Sequence, residues 1–390
     1  MTKKERALAA MKFKTVDRIP TMYRGVIPFS KRLMDYLKIG DPDDPILLPR
    51  NHKKLLNKIG ADLWTCGPRQ YFSNFFPKYI GPELDYLDQA YFCTMEIKAQ
   101  IEYIEKYDYS YLVYASNPLS EYDDPEKVDG FLTKRINFFD YKNCVNQQIS
   151  NGKFGPYFNN KTAYEIFSYE SFKNSDDDII SIGDVMNYPF ILCSYLRGMD
   201  NFLLDMVGNI KMAEAIVNEV CEFLLEFNRR LLNETTINAD VYSAWDDVAS
   251  QESLMFSPVL FKKYFLPYWK KIISMAKSKG LIFSWHCCGN INEVLPMMID
   301  AGIDVFDVVQ TSAKDMEIEK FHKRFGKNVC INGAIDVQKL LIDKKPKDIR
   351  EEVKKIKELW GLEGGAIIGP SHEILPETPI ENVLAIYEAF

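Results

Sequence analysis

From Asn187 to the end of the chain, apolar and polar positions follow regular helix and strand patterns. Between Met199 and Asn233 apolar residues recur near helical spacing, which predicts a long amphipathic helical stretch. After this stretch, short apolar runs alternate with helical patterns, so the chain switches repeatedly between strand and helix. The predicted strands are 239–245, 281–287, 303–309, 329–332 and 366–369, and the predicted helices are 257–279, 291–301, 313–325, 337–342, 347–360 and 381–390.

Five short apolar strands separated by helices indicate parallel crossovers, which at this length favour a closed barrel or a doubly wound sheet. Polar residues follow nearly every predicted strand, whereas a doubly wound sheet concentrates its ligands near one switch point. The sequence contains no glycine-rich dinucleotide motif and no phosphate-binding loop. We therefore predict an α/β fold, a (β/α)8 TIM barrel with its chemistry at the carboxyl ends of the strands.

The first half of the chain has a less regular pattern. Residues 1–20 predict a helix followed by an extended entry, and residues 123–175 contain turn-forming pairs such as Asn151-Gly152 and Gly155-Pro156. No low-complexity linker divides the chain. We predict one domain over residues 1–390, with an N-terminal helical extension over 1–60 and an inserted segment over about 120–180.

The charge distribution of the chain argues against a nucleic-acid partner. Of its 390 residues, 48 are Lys or Arg and 55 are Asp or Glu, and the two signs are interleaved. This distribution offers no basic stripe to a nucleic-acid backbone. We expect a small-molecule substrate and no nucleic-acid partner.

Cysteine usage and hydropathy indicate a cytoplasmic protein. The eight cysteines lie mostly alone within apolar segments, which is atypical of a disulfide-linked secreted domain. No apolar stretch approaches the roughly 20 residues that span a bilayer. We therefore expect no membrane partner.

The segment 284–288 contains the most specific chemical pattern, because side chains two apart on a strand point the same way. His286 and Cys288 are then directed toward the barrel interior at its mouth, where an imidazole and a thiolate form half of a tetrahedral zinc site. The alternative is that His286 is a hydrogen-bonded or acid-base residue and that the cysteines only pack. His372, after the last predicted strand, is the candidate third ligand.

Asp246 and Asp247 follow the first of these strands. Paired carboxylates at a strand end can orient a histidine, complete a metal shell, or act as general acid and base. The alternative for one of the two is capping of the following segment. We predict that this pair is catalytic.

Several segments together resemble the uroporphyrinogen decarboxylase superfamily, and the resemblance covers nearly the whole chain. They are the opening Glu5-Arg6 to Asp17-Arg18-Ile19-Pro20, Ala239-Asp240 through Asp246-Asp247, His286-Cys287-Cys288-Gly289-Asn290, Asn332-Gly333-Ala334-Ile335-Asp336, and Gly369-Pro370-Ser371-His372 through Pro379-Ile380-Glu381-Asn382.

The resemblance implies a (β/α)8 barrel and one of two chemistries. One is cofactor-free decarboxylation of uroporphyrinogen, and the other is zinc-dependent methyl transfer between a corrinoid and a thiol such as coenzyme M. The similar methyltransferases bind zinc through His-x-Cys, matched here by His286 and Cys288, and through a later cysteine. This chain has His372 at the later position, as the decarboxylases do.

The decarboxylase pattern has larger gaps in this chain. The arginine-rich stretch that holds substrate carboxylates in those enzymes corresponds here to Thr21-Met22-Tyr23-Arg24-Gly25, with one arginine. Their Phe-Ser-Asp segment resembles Phe72-Ser73-Asn74, where an amide replaces the acid. In a decarboxylase of this type, Arg24 or Arg69 would bind the substrate carboxylates.

These observations predict a zinc-dependent methyltransferase that moves a methyl group between a corrinoid and a thiol or a methoxy- or methylamine-type substrate. His286, Cys288 and His372 would hold Zn²⁺, and the methylcobamide would arrive on a separate corrinoid protein. The first alternative is a metal-free decarboxylase for a porphyrinogen or a smaller acid, and the second is a non-catalytic ligand- or corrinoid-handling barrel. The predicted cofactor-binding residues are Asn290, Gln310, Asn332 and Asp336.

Overall fold

The structure is a computed structural model that describes residues 1–39, 49–65, 73–81, 99–104, 109–114, 117–146, 179–183 and 187–390. Its strands are β1 (Met22–Arg24), β2 (Leu63–Thr65), β3 (Ser73–Tyr79), β4 (Ala99–Ile104), β5 (Tyr109–Tyr114), β6 (Phe139–Asn146), β7 (Ile180–Gly183), β8 (Val241–Trp245), β9 (Ile282–His286), β10 (Val305–Val309), β11 (Cys330–Ile335) and β12 (Ala366–Pro370).

Helices separate most of the parallel strands. They are α1 (Lys3–Met11), α2 (Ile27–Leu37), α3 (Pro49–Ile59), α4 (Pro189–Arg197), α5 (Met199–Gly208), α6 (Ile210–Glu234), α7 (Pro258–Tyr264), α8 (Leu266–Ser278), α9 (Leu295–Ala301), α10 (Ile318–Phe325), α11 (Leu340–Asp343), α12 (Pro346–Trp360) and α13 (Ile380–Tyr387). Two short 3₁₀ helices cover Pro125–Val128 and Thr133–Phe138.

The main sheet has the strand order β12-β11-β10-β9-β8-β7-β3-β6, and every pair from β12 to β7 is parallel. Strand β1 pairs with β2 in parallel, and a parallel bridge between Thr21 and Ile368 joins this pair to the β12 edge. Strand β3 pairs in parallel with β7 and antiparallel with β6. Eight parallel strands therefore follow one another as β2-β1-β12-β11-β10-β9-β8-β7, and β3 continues the parallel series beyond β7.

One buried cluster shows that these eight strands enclose a barrel interior. Each strand, or the residue next to it, contributes one apolar side chain to the cluster, and each of these side chains is at most 5% exposed. Intervening residues of the same strands, such as Tyr242, Phe283 and Ile331, belong to a different cluster, which also contains apolar residues of α6, α8 and α12. We call the first set the base layer, and its members are Met22, Leu63, Ile179, Val241, Ile282, Val305, Cys330 and Ile367.

Helix α1 covers the amino end of the barrel. Its residues Ala7, Ala10 and Met11 are at most 2% exposed and belong to the same cluster as the base layer. The helix begins at a capping box in which the Thr2 hydroxyl and the Glu5 carboxylate bond to each other's backbone amides. The barrel is thus closed beneath the base layer.

A buried carboxylate ties the opening segment to the first two strands. Asp62, just before β2, accepts hydrogen bonds from Arg6 at 2.6 Å and from Arg18 at 2.9 Å. It also accepts from the Thr21 amide at 2.9 Å, immediately before β1. Residues 1–60, predicted as an extension, therefore supply a barrel strand as well as helices.

The structure confirms the five strands predicted in the second half and the prediction of an α/β barrel. The predicted helix 257–279 is divided at Phe265, because Pro267 lacks an amide hydrogen and its ring disfavours a continuous helix. The stretch 199–233 is likewise two helices, α5 and α6, which meet at Asn209. In the described residues, no helix is long and apolar enough to cross a membrane.

Candidate metal centre

His286, Cys288 and His372 come together at the carboxyl end of the barrel. His286 is the last residue of β9, Cys288 lies two residues beyond it, and His372 lies two residues beyond β12. One ligand atom from each residue lies within 4.8 Å of the others. Cys288 Sγ is 3.4 Å from His286 Nε2. The structure therefore places the three predicted ligands around one point.

Gly289 shapes the turn that follows Cys288. Its φ is +85°, a conformation that side chains with a Cβ rarely adopt, and an added Cβ would lie 2.3 Å from the Ser250 carbonyl oxygen. The Gly289 amide donates to Gln310 Oε1 at 2.9 Å, and Gln251 Nε2 donates to the same oxygen at 2.6 Å. Gln310 thus holds the loop that presents the cysteine.

Asp307 on β10 binds the ring of His286 from behind. Its Oδ2 atom lies 2.5 Å from His286 Nδ1, and the two residues are paired across neighbouring strands. A carboxylate at Nδ1 fixes the proton there and leaves Nε2 as the nitrogen that faces Cys288. Sequence reasoning missed Asp307, although it is the charged residue within the apolar run of β10.

Arg24 on β1 forms the other side of this ion pair. Its Nη2 atom donates to both oxygens of Asp307, at 2.8 and 3.1 Å, and the two side chains are 1% and 0% exposed. A buried charge pair of this kind persists when both partners are hydrogen-bonded. The contacts make Arg24 a partner of Asp307, and its role in binding a substrate carboxylate stays a prediction. Arg69 lies outside the described residues.

The charges of Arg24, Asp307 and His286 shift one another's pKa values. Burial opposes the charge of Asp307, but Arg24 and His286 outweigh it and lower the pKa of Asp307 to about 2. Burial likewise opposes the charge of Arg24, and Asp307 raises the pKa of that guanidinium. Asp307 is therefore ionised across the physiological range.

The three candidate ligands respond to burial in different ways. Burial, followed by the charges of Arg24 and His286, lowers the pKa of His372 to about 4, so this histidine is neutral at pH 7. Burial disfavours the charged form of His286, but Cys288 and Asp307 raise its pKa well above 6.5. Burial and then Asp247 raise the pKa of the Cys288 thiol. Without a metal ion the thiol and one imidazole hold protons that a cation would displace.

The two adjacent aspartates have different surroundings. Asp247 Oδ1 accepts the Cys288 amide at 2.8 Å and lies 4.0 Å from His286 Nε2. Asp246 is fully buried and accepts the amides of Phe190 and Ile191, both at 3.0 Å, in the first turn of α4. Asp247 therefore faces the candidate ligands, whereas Asp246 caps a helix. A catalytic role for either stays a prediction.

The four predicted cofactor-binding residues are also placed differently. Asn290 accepts from the Asn292 side chain and donates to the Glu252 carbonyl, within the loops around the site. Asp336 accepts three backbone amides at the start of α11, from Gln338, Lys339 and Leu340. Gln310 holds Gly289, and Asn332 on β11 is 0% exposed beside Asp307.

The chain belongs to the uroporphyrinogen decarboxylase family, whose family model matches residues 172–390, more than half of the chain. It is 27% identical over 206 residues to the methylcobamide:CoM methyltransferase MtbA of Methanosarcina acetivorans, covering 51% of this chain and 55% of that one. It is also 27% identical over 207 residues to the uroporphyrinogen decarboxylase of Hordeum vulgare, covering 51% and 58%. The chain thus spans about half the length of the curated relatives it matches.

A solved structure supports the fold. A methyltransferase from Methanosarcina mazei superimposes with a TM-score of 0.60, covering 100% of this chain and 98% of that chain at 20% sequence identity. At this identity the likeness shows the architecture and not the reaction. The chain therefore has the barrel fold of an enzyme family, and its relatives include both methyltransferases and decarboxylases.

Proposed function

We propose that the chain is a corrinoid-linked methyltransferase whose zinc ion is held by His286, Cys288 and His372. The observation that carries this proposal is the approach of the three ligand atoms to within 4.8 Å of one another at the mouth of the barrel. The proposal assigns the resulting N₂S donor set to Zn²⁺, which binds neutral imidazole and thiolate.

The residues present fit such an ion. With Zn–N near 2.0 Å and Zn–S near 2.3 Å, two tetrahedral ligands lie about 3.5 Å apart. His286 Nε2 and Cys288 Sγ are 3.4 Å apart. Asp307 holds the opposite ring nitrogen of His286, as carboxylates do behind many metal-bound histidines.

The remaining side chains support methyl transfer to or from a small thiol. Zinc at this position would lower the pKa of a bound thiol and keep it nucleophilic at neutral pH. Asp247 holds the Cys288 amide and is close enough to His286 to orient the ligands or to provide a fourth contact. Arg24 neutralises the charge of Asp307. The net negative charge next to the metal would then come from one ligand, the thiolate of Cys288.

The corrinoid is proposed to arrive on a separate protein. The relatives named methylcobamide:CoM methyltransferases support a methylcobamide co-substrate, and a methoxy- or methylamine-type donor is the reverse half of the same chemistry. We also propose a cytoplasmic location. It is supported by six free cysteines among the described residues, since reducing compartments keep thiols unpaired.

The second candidate is a metal-free decarboxylase. The similarity to plant uroporphyrinogen decarboxylases and the histidine at position 372 favour it. The ion pair between Arg24 and Asp307 favours methyl transfer instead, because a guanidinium bound to a buried carboxylate is less available to a substrate acid. A non-catalytic barrel that handles a corrinoid is the remaining alternative.

Zinc content tests the proposal. We expect close to one zinc per chain in anaerobically purified wild-type protein, and loss of zinc in Cys288→Ser and in His372→Ala. Ser194→Ala, on α4 away from the ligands, is the matched control and should retain the metal. Zinc-free wild-type protein after reconstitution would exclude the mechanism and favour the decarboxylase.

Turnover separates catalysis from simple ligand handling. The zinc-loaded protein should demethylate methylcobalamin in the presence of a thiol, which is followed by the change in corrinoid absorbance. Full zinc loading without demethylation of methylcobalamin by any thiol would favour the non-catalytic alternative.

A further inference from the structure

A second interior layer lies immediately above the base layer. Each member follows a base-layer residue by two positions, so its side chain points to the same interior face. Every member is 0–1% exposed. We call this set the polar layer, and its members are Arg24, Ser181, Ser243, Ser284, Asp307 and Asn332.

The charged and neutral members of the polar layer differ in their hydrogen bonding. Arg24 and Asp307 bond to each other. Both polar atoms of the Asn332 amide have no hydrogen-bond partner in the part of the chain that the structure describes. The same holds for the hydroxyl groups of Ser181, Ser243 and Ser284. Buried polar groups in folded proteins are nearly always hydrogen-bonded, so several together require an explanation.

These groups flank the metal centre on two sides. Ser284 lies two residues before His286 on the same face of β9, and Ser243 is its Cα partner on β8. On the other side, Asn332 is the Cα partner of Asp307 on β11. These groups therefore lie on both sides of the His286–Asp307 pair, with Ser284 one interior position below His286 on β9 and Asn332 beside Asp307 on β11.

We infer that the polar layer is the floor of the substrate site and binds an uncharged hydrogen-bonding group, such as a hydroxyl or an amide. This inference rests on the proposed function, in which the reacting sulfur of the substrate lies at the metal. The serine hydroxyls and the Asn332 amide both donate and accept, which matches a hydroxyl or amide tail.

The charges in the layer explain why the tail is uncharged. The guanidinium of Arg24 is bonded to Asp307, so the pair adds no net charge to the floor. An anionic tail beside the Asp307 carboxylate would be buried without a cation of its own, which is strongly unfavourable. The floor therefore disfavours a sulfonate or a carboxylate.

Three thiols with one common linker test this inference. They are 1-propanethiol, 2-mercaptoethanol and 2-mercaptoethanesulfonate, which differ only in the terminal group. Their dissociation constants are measured on Co²⁺-substituted protein from the thiolate-to-cobalt charge-transfer absorption. We expect 2-mercaptoethanol to bind about tenfold more tightly than 1-propanethiol, the effect of one satisfied buried hydrogen bond, and the sulfonate to bind more weakly than 2-mercaptoethanol.

The Asn332→Leu variant removes the amide at similar volume. It should abolish the preference for 2-mercaptoethanol while leaving the affinity for 1-propanethiol within about twofold. Ser243→Ala and Ser284→Ala should each reduce the preference for 2-mercaptoethanol over 1-propanethiol. They replace Asn332→Leu as the test if that variant does not fold. Ser194→Ala, a buried serine on α4 outside the barrel interior, is the control and should leave the preference unchanged.

Two results would overturn the inference: an unchanged preference in all three variants, or tighter binding of the sulfonate than of 2-mercaptoethanol by wild-type protein. Absence of cobalt binding would instead reject the proposed metal centre. In that case the thermal midpoint of metal-free protein is compared with 2-mercaptoethanol and with 1-propanethiol. Equal midpoints with the two thiols would then reject the polar floor as well.

Discussion

At the residue scale, the hydrogen bond between His286 and Asp307 determines which nitrogen of the imidazole is available to a metal. Asp307 occupies Nδ1, so Nε2 faces Cys288 at 3.4 Å. Arg24 in turn neutralises the carboxylate from the far side. The geometry of the candidate ligands thus depends on two residues that contact no metal themselves.

Replacing Asp307 by Asn tests this dependence. We expect the zinc affinity to fall by about 10- to 100-fold, because an amide orients the ring less strongly and makes it a weaker base. Competition with a chromophoric chelator measures the affinity. Asp315→Asn, a change at an exposed position, is the control, and equal affinities for the two variants would contradict the role given to Asp307.

The depressed pKa of His372 predicts a pH dependence of stability in metal-free protein. Between about pH 6.5 and pH 4 the unfolded state binds a proton at this histidine that the folded state does not. The free energy of unfolding should therefore fall as the pH falls through this window, by at most about 1.4 kcal/mol per pH unit.

Urea denaturation at several pH values measures this slope. His372→Gln should flatten it, because the variant has no imidazole to titrate. His322→Gln is the comparison, since the pKa of this histidine is also lowered by burial but the residue lies on α10, outside the candidate metal centre. A slope that remains unchanged in His372→Gln would show that other groups are responsible.

The three candidate ligands could be named from sequence because strand periodicity places His286 and Cys288 on one face and because His372 follows the last strand. The Arg24–Asp307 pair could not be named. Its partners are 283 residues apart, and only the closure of β1 against β12 brings them together. Asn332 is a predicted cofactor-binding residue, but only the folded structure shows that its amide has no hydrogen-bond partner among the described residues.

At the element scale, the second half of the chain was predictable because parallel strands buried on both faces are short, apolar and separated by helical patterns. Helix ends were less predictable. The long helix from 257 is divided near Pro267, and the predicted start at 291 is a turn that precedes α9. Strands of three residues, such as β1 and β2, are too short to show a period.

The capping of α4 predicts opposite results for the two adjacent aspartates. Tyr188, the N-cap of this helix, makes no side-chain cap, and Asp246 accepts two of the free amides instead. Asp246→Asn should lower the free energy of unfolding by about 1–3 kcal/mol. The new side-chain NH₂ group would face one of the two backbone N–H donors, which then loses its acceptor. Zinc affinity should change little.

Asp247→Asn should have the reverse effect. Its side chain is 34% exposed and binds the Cys288 amide, so stability should change by less than about 0.5 kcal/mol while zinc affinity falls. Denaturation and chelator competition on both variants measure the difference. Loss of zinc affinity in Asp246→Asn alone would reverse the roles proposed for the pair.

At the scale of the whole molecule, the barrel interior is divided by height. The base layer is apolar, the polar layer lies above it, and the candidate ligands lie at the carboxyl end. We therefore expect stability and chemistry to depend on different layers of the same strands. This division was implied by the alternation along β9, where Ile282, Ser284 and His286 share one face.

Truncation in the base layer should affect stability alone. Ile282→Ala is expected to lower the free energy of unfolding by about 2–5 kcal/mol, because it removes buried methylene groups and leaves a cavity. Urea denaturation provides the measurement. The number of zinc ions per folded chain should remain that of the wild type, and a loss of zinc in this variant would show that the layers are not independent.

The closure of the barrel by α1 beneath the base layer has a kinetic consequence. Under the proposed function, the candidate ligands lie at the carboxyl end, so a small substrate and a corrinoid carrier protein would approach them from the same side. We then expect a compulsory binding order in which the small molecule enters first and leaves last. An excess of the carrier protein should therefore inhibit competitively with the small substrate, because the carrier covers the one opening through which that substrate enters.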